Sequence, residues 1–445
     1  HAFNIKRNAM KKRKKAKMNY TRYRSRYIRR KKLNTKRVAI CILSICLVIT
    51  AAVTAGIAGK KKNNNVKEAM ATPAYTKNET TDNKEKETTK KVKAEKTDVT
   101  LIAVGDDLVS DSVLYTAKRS DGTYDFSSVY EKMKPDFKKA DIAIINQETI
   151  LGGDKFEYKG YPCFNTPDSM GKAIMDAGFN IVQQASNHSY DTGVEGIEHC
   201  IKYWKKHKKK VLMVGLNENE EEYNTIPIFK CKGIKFAILN YTYGLNGFKL
   251  PEDKGYLVNL LDDAHWDKVK SDIEKAEQIA DFTIVLPHWG QEYVQPDPIP
   301  EQEKWAKMMV EAGADLIIGT HPHVVEKIQW IKSDNGNSAL CYYSLGNYTS
   351  GQENWKTLLG GMAKLTIRKD EKGIRILKKK AGVVPTVNHY VWGKSQGVIR
   401  QQYTYRLSEY SQDMLQGHSI QWSNPVTYTD LTKLSQEVFG DWVIE

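Results

Sequence analysis

From Asp98 onward, short apolar runs alternate with amphipathic stretches along the chain. Runs of four to nine apolar residues bounded by Gly, Pro, Asn or Asp predict strands, and apolar positions three to four residues apart predict helices. The predicted strands cover 99–105, 141–147, 180–185, 211–214, 234–241, 282–287 and 315–319. The predicted helices cover 126–139, 168–178, 193–207, 263–280 and 300–313. Regular alternation of strands and helices indicates a layered α/β architecture.

The pattern becomes rich in strands after residue 320. Residues 324–332, 339–345 and 358–368 predict strands joined by turns such as Asn335-Gly336-Asn337. Mixed sheets flanked by helices fit this change better than a purely parallel, doubly wound sheet. Residues 391–445 are rich in Tyr and Gln and less periodic, and the sequence assigns this C-terminal extension no role.

The first hundred residues have a different character. Residues 38–58 are uncharged and mostly apolar, long enough for one transmembrane helix, and they follow the basic tail 1–37. Basic residues beside a span keep that end in the cytoplasm, so we expect a single-pass protein of the cell membrane with an extracellular main domain. A cleaved signal peptide is the alternative. Residues 59–97 are polar and charged, which predicts a disordered stalk.

The strong positive charge of the chain is confined to the basic tail. The formal net charge is +15, but residues 1–37 contain 17 Lys or Arg and no acid, which leaves 51 basic against 53 acidic residues. The remainder is therefore nearly neutral, and we expect no nucleic-acid partner. The cysteines lack the spacing of a zinc ribbon, and free thiols are the preferred interpretation.

Polar residues suited to metal binding follow several of the predicted strands. Because the carboxyl ends of neighbouring parallel strands meet at one edge of a sheet, we expect these side chains to converge. Carboxylate, amide and imidazole donors together favour Zn²⁺, Mn²⁺ or Fe²⁺, as one or two ions. The predicted ligands are Asp106, Glu148, Asn187, His188, His288, His321 and His323. Taken alone, Gly319-Thr320-His321-Pro322-His323 fits a surface turn with two ordinary histidines equally well.

Two further roles are predicted around this cluster. Glu148 has two oxygens and could bridge a pair of ions, which would clamp a phosphate and activate bound water. Asp191 follows Asn187 and His188 closely enough to accept a hydrogen bond from a metal-binding imidazole and so orient it, without binding the ion itself. His188, Asn187 and Asp191 are therefore the candidate catalytic residues.

Six ordered motifs across roughly 98–390 resemble a known family. They are Gly105-Asp106-x-Leu108, Asn146-x-Glu148, Asn187-His188-x-x-Asp191-x-Gly193, His288-Trp289-Gly290-x-Glu292-Tyr293, Gly319-x-His321-Pro322-His323-Val324 and Tyr343-Ser344-Leu345-Gly346-Asn347. Together they resemble the capsule-synthesis CapA family, associated with poly-γ-glutamate capsules. That family is similar in fold to calcineurin-like metallophosphoesterases, whose ligand positions the seven predicted ligands match.

The resemblance has one departure from the metallophosphoesterase pattern. The first motif of those enzymes is Asp-x-His, whereas Leu108 stands at the third position here. One imidazole is thereby lost from one ion position. The CapA family shares this departure, and likeness of fold does not establish phosphatase activity.

The resemblance and the residues leave three functions open. The first is a membrane-anchored CapA-like factor in capsule assembly, export or attachment, with an anionic polymer such as poly-γ-glutamate as ligand and membrane synthase subunits as further candidate partners. The second is a metal-dependent phosphoesterase acting on a cell-envelope phosphate ester. The third is hydrolysis or transfer at a γ-glutamyl amide.

Other residues of these motifs have mainly structural interpretations. Trp289 and Tyr293 are expected to pack against the motif loops, and Glu292 is either a general acid or a solvated surface residue. Asn347 is expected to form a turn. His199, His207, His265, His389 and His418 are expected to be surface or hydrogen-bonded histidines.

Overall fold

Two mixed β-sheets form the centre of the protein. The computed structural model describes residues 96–392 and 400–444. The predicted basic tail, the predicted span 38–58 and nearly all of the predicted stalk lie outside these residues. Among the residues that the structure describes, no helix combines the length and apolar character needed to cross a bilayer.

The first sheet has a parallel half and an antiparallel half. In spatial order its strands are β14 (Gln401–Arg406), β13 (Gly373–Val391), β12 (Leu359–Asp370), β1 (Thr97–Asp107), β2 (Ile142–Asn146), β3 (Ile181–Gln183) and β4 (Leu212–Val214). The strands from β1 to β4 run parallel, whereas β12, β13 and β14 pair antiparallel. The short β11 (Asn347–Thr349) pairs in parallel with the end of β1.

The second sheet has a parallel centre and antiparallel edges. Its strands, in order, are β5 (Ile228–Cys231), β6 (Ile234–Thr242), β7 (Phe282–His288), β8 (Leu316–Ile318), β10 (Ser338–Tyr342) and β9 (Ile328–Lys332). The α/β architecture with mixed sheets that the sequence predicts is confirmed. Each predicted strand corresponds to an observed one, with differences of a few residues at the ends.

The helices cover the outer faces of the two sheets, except for the last two, whose apolar residues join the core between the sheets. They are α1 (Asp111–Ala117), α2 (Ser127–Glu131), α3 (Lys134–Lys139), α4 (Asp168–Ala177), α5 (Gly193–Lys206), α6 (Glu220–Tyr223), α7 (Trp266–Ile279), α8 (Pro300–Ala312), α9 (Gln412–Gln416) and α10 (Tyr428–Phe439). The helix predicted over 126–139 is two short helices. Pro135 occupies the first turn of α3, where its missing N–H and fixed φ favour the start of a new helix.

Three apolar cores separate the layers. Alternate residues of β1 show the arrangement: Leu101 and Ala103 face the second sheet, whereas Ile102 and Val104 face the helices from α1 to α5. A third core lies between the second sheet and the helices α7 and α8. Because strands alternate their faces, nearly continuous apolar runs such as Leu101–Val104 are what a sheet covered on both sides requires.

Residues 400–444 extend the first sheet and contribute to the core between the two sheets. β14 pairs with β13 in register, and the side chains of Leu431 and Leu434 on α10 join the core between the sheets. The sequence left this segment without a role. The structure shows that it extends the sheet that carries Asp106.

A buried carboxyl group, Glu326, lies in the segment between β8 and β9 and contacts α8. Gln302 Nε2 donates a hydrogen bond to one Glu326 oxygen at 2.6 Å, and the other oxygen has no hydrogen-bond partner in the described protein. Burial raises the pKa of Glu326 to about 8, and the bond from Gln302 offsets only part of this effect. Glu326 is therefore protonated at neutral pH in the folded protein.

Substituting Glu326→Gln is expected to flatten the pH dependence of stability between pH 5 and 8. The folded protein keeps a proton that the unfolded chain releases above the ordinary pKa of 4.5, so stability present below that pH is lost as the pH rises towards 8. The loss is at most about 5 kcal/mol. Urea unfolding at pH 5 and pH 8 measures it, with the exposed Glu311→Gln as the control. If the free energy of unfolding changes by the same amount between pH 5 and pH 8 in the Glu326 variant and in the parent, Glu326 does not carry the raised pKa.

Candidate metal centre

Strand ends from both sheets meet at one rim and bring five candidate ligands together. Asp106 is the penultimate residue of β1 and Glu148 follows β2 in the first sheet, while His288 is the last residue of β7 in the second sheet. His321 and His323 lie just past β8 in the second sheet. All five are at most 2% exposed. The rim where parallel strands end is therefore a polar cluster enclosed by protein.

These five residues form two groups of three potential metal ligands. One group contains Glu148, His288 and His321, and the other contains Asp106, Glu148 and His323. Within each group the potential ligand atoms lie within 4.8 Å of one another. Glu148 belongs to both groups, as a bridging carboxylate would.

The hydrogen bonding of Glu148 fits a cation. Both of its carboxylate oxygens are buried and have no hydrogen-bond partner among the described residues. Burial raises the pKa of Glu148 well above its ordinary value, and the nearby positive charge of His323 offsets this only in part. A buried, unpaired carboxylate is costly, and coordination of a cation removes that cost. The residues present therefore fit a divalent ion.

Asp106 is held in place by hydrogen bonds. Asn146 Nδ2 donates to its Oδ1 at 2.8 Å, and the backbone N–H of His321 lies 3.3 Å from both oxygens. His323 Nδ1 lies 3.2 Å from Asp106 Oδ2. Burial alone would lower the pKa of His323, but the carboxyl groups of Glu148 and Asp106 outweigh it and raise the pKa to about 10.

The other two imidazoles are neutral at physiological pH. Burial lowers the pKa of His288 and of His321 well below the ordinary value, and the neighbouring histidines lower both further. His288 Nδ1 lies 3.0 Å from Thr320 Oγ1, and His321 Nδ1 is buried without a hydrogen-bond partner. Neutral imidazole is the form that binds metal ions, so both residues are ready to act as ligands.

His188, Asn187 and Asp191 lie beside the two groups. His188 Nδ1 is 2.7 Å from Asp191 Oδ2, which also accepts a hydrogen bond from the backbone N–H of Phe164 at 2.7 Å. Asn187 Oδ1 lies 2.9 Å from His288 Nε2. The arrangement places the oriented imidazole of His188 at the edge of the centre and outside both three-ligand groups.

The loop after β8 has a strained backbone. His321 has φ of 102° and His323 has φ of 60°, and both lie in the region that side chains other than glycine rarely adopt. The conformation turns both imidazoles towards Glu148, with His323 Nε2 3.7 Å from Glu148 Oε1. Strain that persists at a buried polar cluster is typical of functional sites. An ordinary surface turn, the alternative left open by the sequence, does not describe this loop.

Leu108 is buried, and its apolar side chain contributes no donor to the centre. As a result, the group containing Asp106 has one imidazole, His323, whereas the other group has two. Asn146 Nδ2 fills the space between Asp106 Oδ1 and His288 Nδ1, which lie 2.8 and 3.2 Å from it. The two ligand groups are thus unequal, as the first motif implied.

Asn347 is a part of the centre that the sequence analysis missed. It was expected to form a turn, but it lies in β11 opposite Asp106, and its Oδ1 is 3.0 Å from His323 Nδ1. Its Nδ2 donates to Ser350 Oγ at 3.0 Å and to Gln352 Oε1 at 2.8 Å, which fixes the amide orientation. The expectation was wrong because pairing with β1 depends on tertiary structure. The ordered motif 343–347 was the one signal that pointed to it.

Asn347→Ala is expected to lower metal affinity about 10- to 100-fold, as the loss of a residue that orients a ligand typically does. The amide oxygen keeps His323 Nδ1 occupied, so that Nε2 faces Glu148. Competition with a chelating dye measures the change, and the exposed turn residue Asn335→Ala is the matched control. Unchanged affinity in the Asn347 variant would show that Asp106 alone orients the ring.

The remaining motif residues are mainly structural, as expected. Trp289 is buried and donates from Nε1 to the carbonyl oxygen of Tyr343 at 2.9 Å, whereas Tyr293 is 46% exposed near His323. His389 and His418 are buried with hydrogen-bond partners. The four cysteines that the structure describes are free, as the sequence favoured.

Comparison with known sequences identifies the family. Residues 100–352, more than half of the chain, match the family described as bacterial capsule synthesis protein PGA_cap. The chain belongs to this family. The resemblance drawn from the six motifs is thereby confirmed.

Two relatives of this capsule synthesis family carry the CapA name. The capsule biosynthesis protein CapA of Bacillus anthracis is 30% identical over 260 residues, which cover 57% of this chain and 60% of that protein. The PGA biosynthesis protein CapA of Bacillus subtilis (strain 168) is 28% identical over 258 residues, which cover 55% of this chain and 63% of that protein. The matches span less than two thirds of either relative.

Solved structures show distant likenesses of fold. The calcineurin-like phosphoesterase YfkN from Bacillus subtilis is 13% identical with a TM-score of 0.39, covering 77% of this chain and 97% of that chain. A hypothetical protein from Thermus thermophilus is 13% identical with a TM-score of 0.35, covering 69% of this chain and 99% of that chain. Neither likeness is evidence for an activity.

Proposed function

We propose that this capsule synthesis family member is a membrane-anchored, outward-facing factor in the assembly, export or attachment of poly-γ-glutamate, and that it acts through a divalent-metal centre. The family membership supports the link to capsule synthesis. The apolar stretch 38–58 after a basic tail supports the anchor and its orientation. Membrane synthase subunits are candidate partners beside such an anchor.

Glu148 is the observation that carries the metal centre. Its two buried oxygens have no hydrogen-bond partner among the described residues, and Glu148 belongs to both groups of potential ligands. Mixed carboxylate and imidazole donors fit Zn²⁺, Mn²⁺ or Fe²⁺, as one or two ions. Such an ion, when bound, supplies positive charge for an anionic ligand. Asp106 and Asn347 contact His323, and Asn187 contacts His288, so the protein fixes the orientation of both imidazoles.

A metal-dependent phosphoesterase acting on a cell-envelope phosphate ester is the second candidate. One carboxylate shared by two ligand groups is the arrangement with which two-metal hydrolases clamp a phosphate. His188, oriented by Asp191, lies where it could donate a proton to the leaving oxygen. Reaction at a γ-glutamyl amide would use the same groups, since a proton must also reach the leaving nitrogen.

The test uses the purified full-length chain. Three quantities are measured on the same sample: the amount of bound metal, the binding of γ-glutamate oligomers, and the turnover of phosphate monoesters and diesters. His323→Ala is the informative variant, and His265→Ala, a partly exposed histidine paired with Asp262, is the matched control. We expect metal in the parent and the control, reduced metal in His323→Ala, and metal-dependent oligomer binding. Phosphoester turnover lost in His323→Ala would favour the enzyme instead. Absence of bound metal from the parent under any ion would overturn both candidates.

The anchor is tested separately by fractionation of cells that produce the full chain or a variant lacking residues 38–58. We expect the full chain in the membrane fraction, with the main domain accessible to external protease. The proposed topology would be contradicted if the variant lacking residues 38–58 stayed in the membrane fraction. Protection of the main domain from external protease would also contradict it.

A further inference from the structure

A pocket opens beside the metal centre, at His188. Its volume is about 390 Å³, within the range of small-molecule sites. Its walls come from two loops, one carrying Tyr161 and the other carrying Asn246 and Phe248. Asn187, His188 and Glu292 also line it, so it is continuous with the residues that surround the ligand groups.

Both loops are fixed to the centre by specific contacts. On one side, the backbone N–H of Phe164 donates to Asp191, and the Phe164 ring packs edge-on against His188 with 4.5 Å between ring centroids. On the other side, Asn246 Oδ1 accepts a hydrogen bond from Asn187 Nδ2 at 3.1 Å. Tyr243, at the start of the second loop, lies 4.6 Å from His321 between ring centroids. These contacts hold the walls of the pocket against the residues of the metal centre.

The walls of the pocket expose aromatic rings to solvent. Tyr161 is 80% exposed and Phe248 is 48% exposed, although burial of such rings is strongly favourable. Tyr293, near His323, is also exposed. Exposed aromatic side chains gathered around a polar pocket mark a binding surface.

The charges of the residues that line the pocket do not suit an anionic ligand. The described lining residues include no lysine or arginine, and Glu292 contributes a carboxyl group. A run of glutamate carboxylates would find no basic partner here and would be repelled by Glu292. Apart from the aromatic rings, the lining offers the amides of Asn187 and Asn246 and the imidazole of His188, all suited to hydroxyl groups.

We propose that this pocket binds a neutral saccharide ring and presents the group attached to that ring to the metal centre. A sugar ring has an apolar face of C–H groups that stacks on an aromatic side chain, and hydroxyl groups at its edge that pair with amides and carboxylates. Tyr161 and Phe248 supply the stacking surfaces, and Asn187, Asn246 and Glu292 supply the polar contacts. This inference rests on the proposed function, since it names the carbohydrate acceptor or sugar ester that such a centre would handle.

The experiment compares three full-length proteins: the parent, the double variant Tyr161→Ala/Phe248→Ala, and Trp422→Ala. Trp422 is 67% exposed and does not line the pocket, so it controls for loss of an exposed aromatic ring. The probes are neutral hexose and N-acetylhexosamine oligosaccharides, a uronic-acid oligosaccharide, nucleosides and γ-glutamate oligomers, each titrated by calorimetry. Bound metal is measured on every sample.

We expect a neutral oligosaccharide to bind the parent and Trp422→Ala equally, and the double variant at least about tenfold more weakly. Equal binding by the double variant, preference for nucleosides or for the uronic-acid probe, or absence of saccharide binding would overturn the inference. These outcomes leave the proposed function intact when metal and γ-glutamate binding persist. Loss of metal from the parent would instead overturn the proposed function.

Discussion

Glu148→Gln is expected to abolish metal binding at both ligand groups while leaving the metal-free fold as stable as the parent within about 1 kcal/mol. Glu148 is the one ligand that both groups share, so its loss removes a donor from each. In the metal-free protein, burial raises the pKa of its carboxyl group well above the ordinary value, which favours the neutral acid. A neutral amide of the same shape then replaces a neutral acid, so the fold loses little.

The measurement is metal content together with thermal unfolding, with and without added Zn²⁺ or Mn²⁺. A ligand that binds only the folded state raises the unfolding temperature of the parent, and the variant should lack this rise. Glu274→Gln, an exposed acid on α7, is the matched control and should behave as the parent. A variant that retains full metal content would show that Glu148 is not a ligand. A variant that unfolds without metal would show that the carboxyl group is structural.

Gly105→Ala is expected to destabilise the protein by about 3–5 kcal/mol and to weaken metal binding with it. A Cβ at this position would lie 1.8 Å from the backbone carbonyl oxygen of Gly346. That carbonyl accepts the hydrogen bond from the backbone N–H of Asp106 at 2.9 Å, so the clash would push β1 away from β11. Asp106 and Asn347 face each other across this contact, and both would shift.

Chemical unfolding and metal titration of Gly105→Ala measure the two effects. Gly255→Ala is the matched control, because a Cβ there meets no atom within 4 Å. We expect the control to change stability by less than about 0.5 kcal/mol. Parent-like stability in Gly105→Ala would mean that the two backbones separate without cost and that the close approach does not position the ligands.

The sequence by itself determined the elements and the types of donor. Apolar runs such as Leu101–Val104 and Ile142–Ile145 are buried on both faces in the structure. Their short length and the polar or turn-forming residues at their ends predict strands without any tertiary information. The position of Asp106 at a strand end, and of Glu148 just beyond one, follows from the same pattern. The helices α4, α5, α7 and α8 were predicted within a few residues because their apolar spacing is also local.

Only the tertiary structure decided which donors lie close enough together to form one group of metal ligands. His288 and His321 come from one sheet and Glu148 from the other, so their meeting depends on how the two sheets pack, which no local pattern encodes. The same applies to Asn347, whose contact with His323 follows from the pairing of β11 with β1. The pocket beside His188 likewise needs loops more than 80 residues apart to face each other. Periodicity reports the faces of one element, whereas a site built between sheets depends on non-local packing.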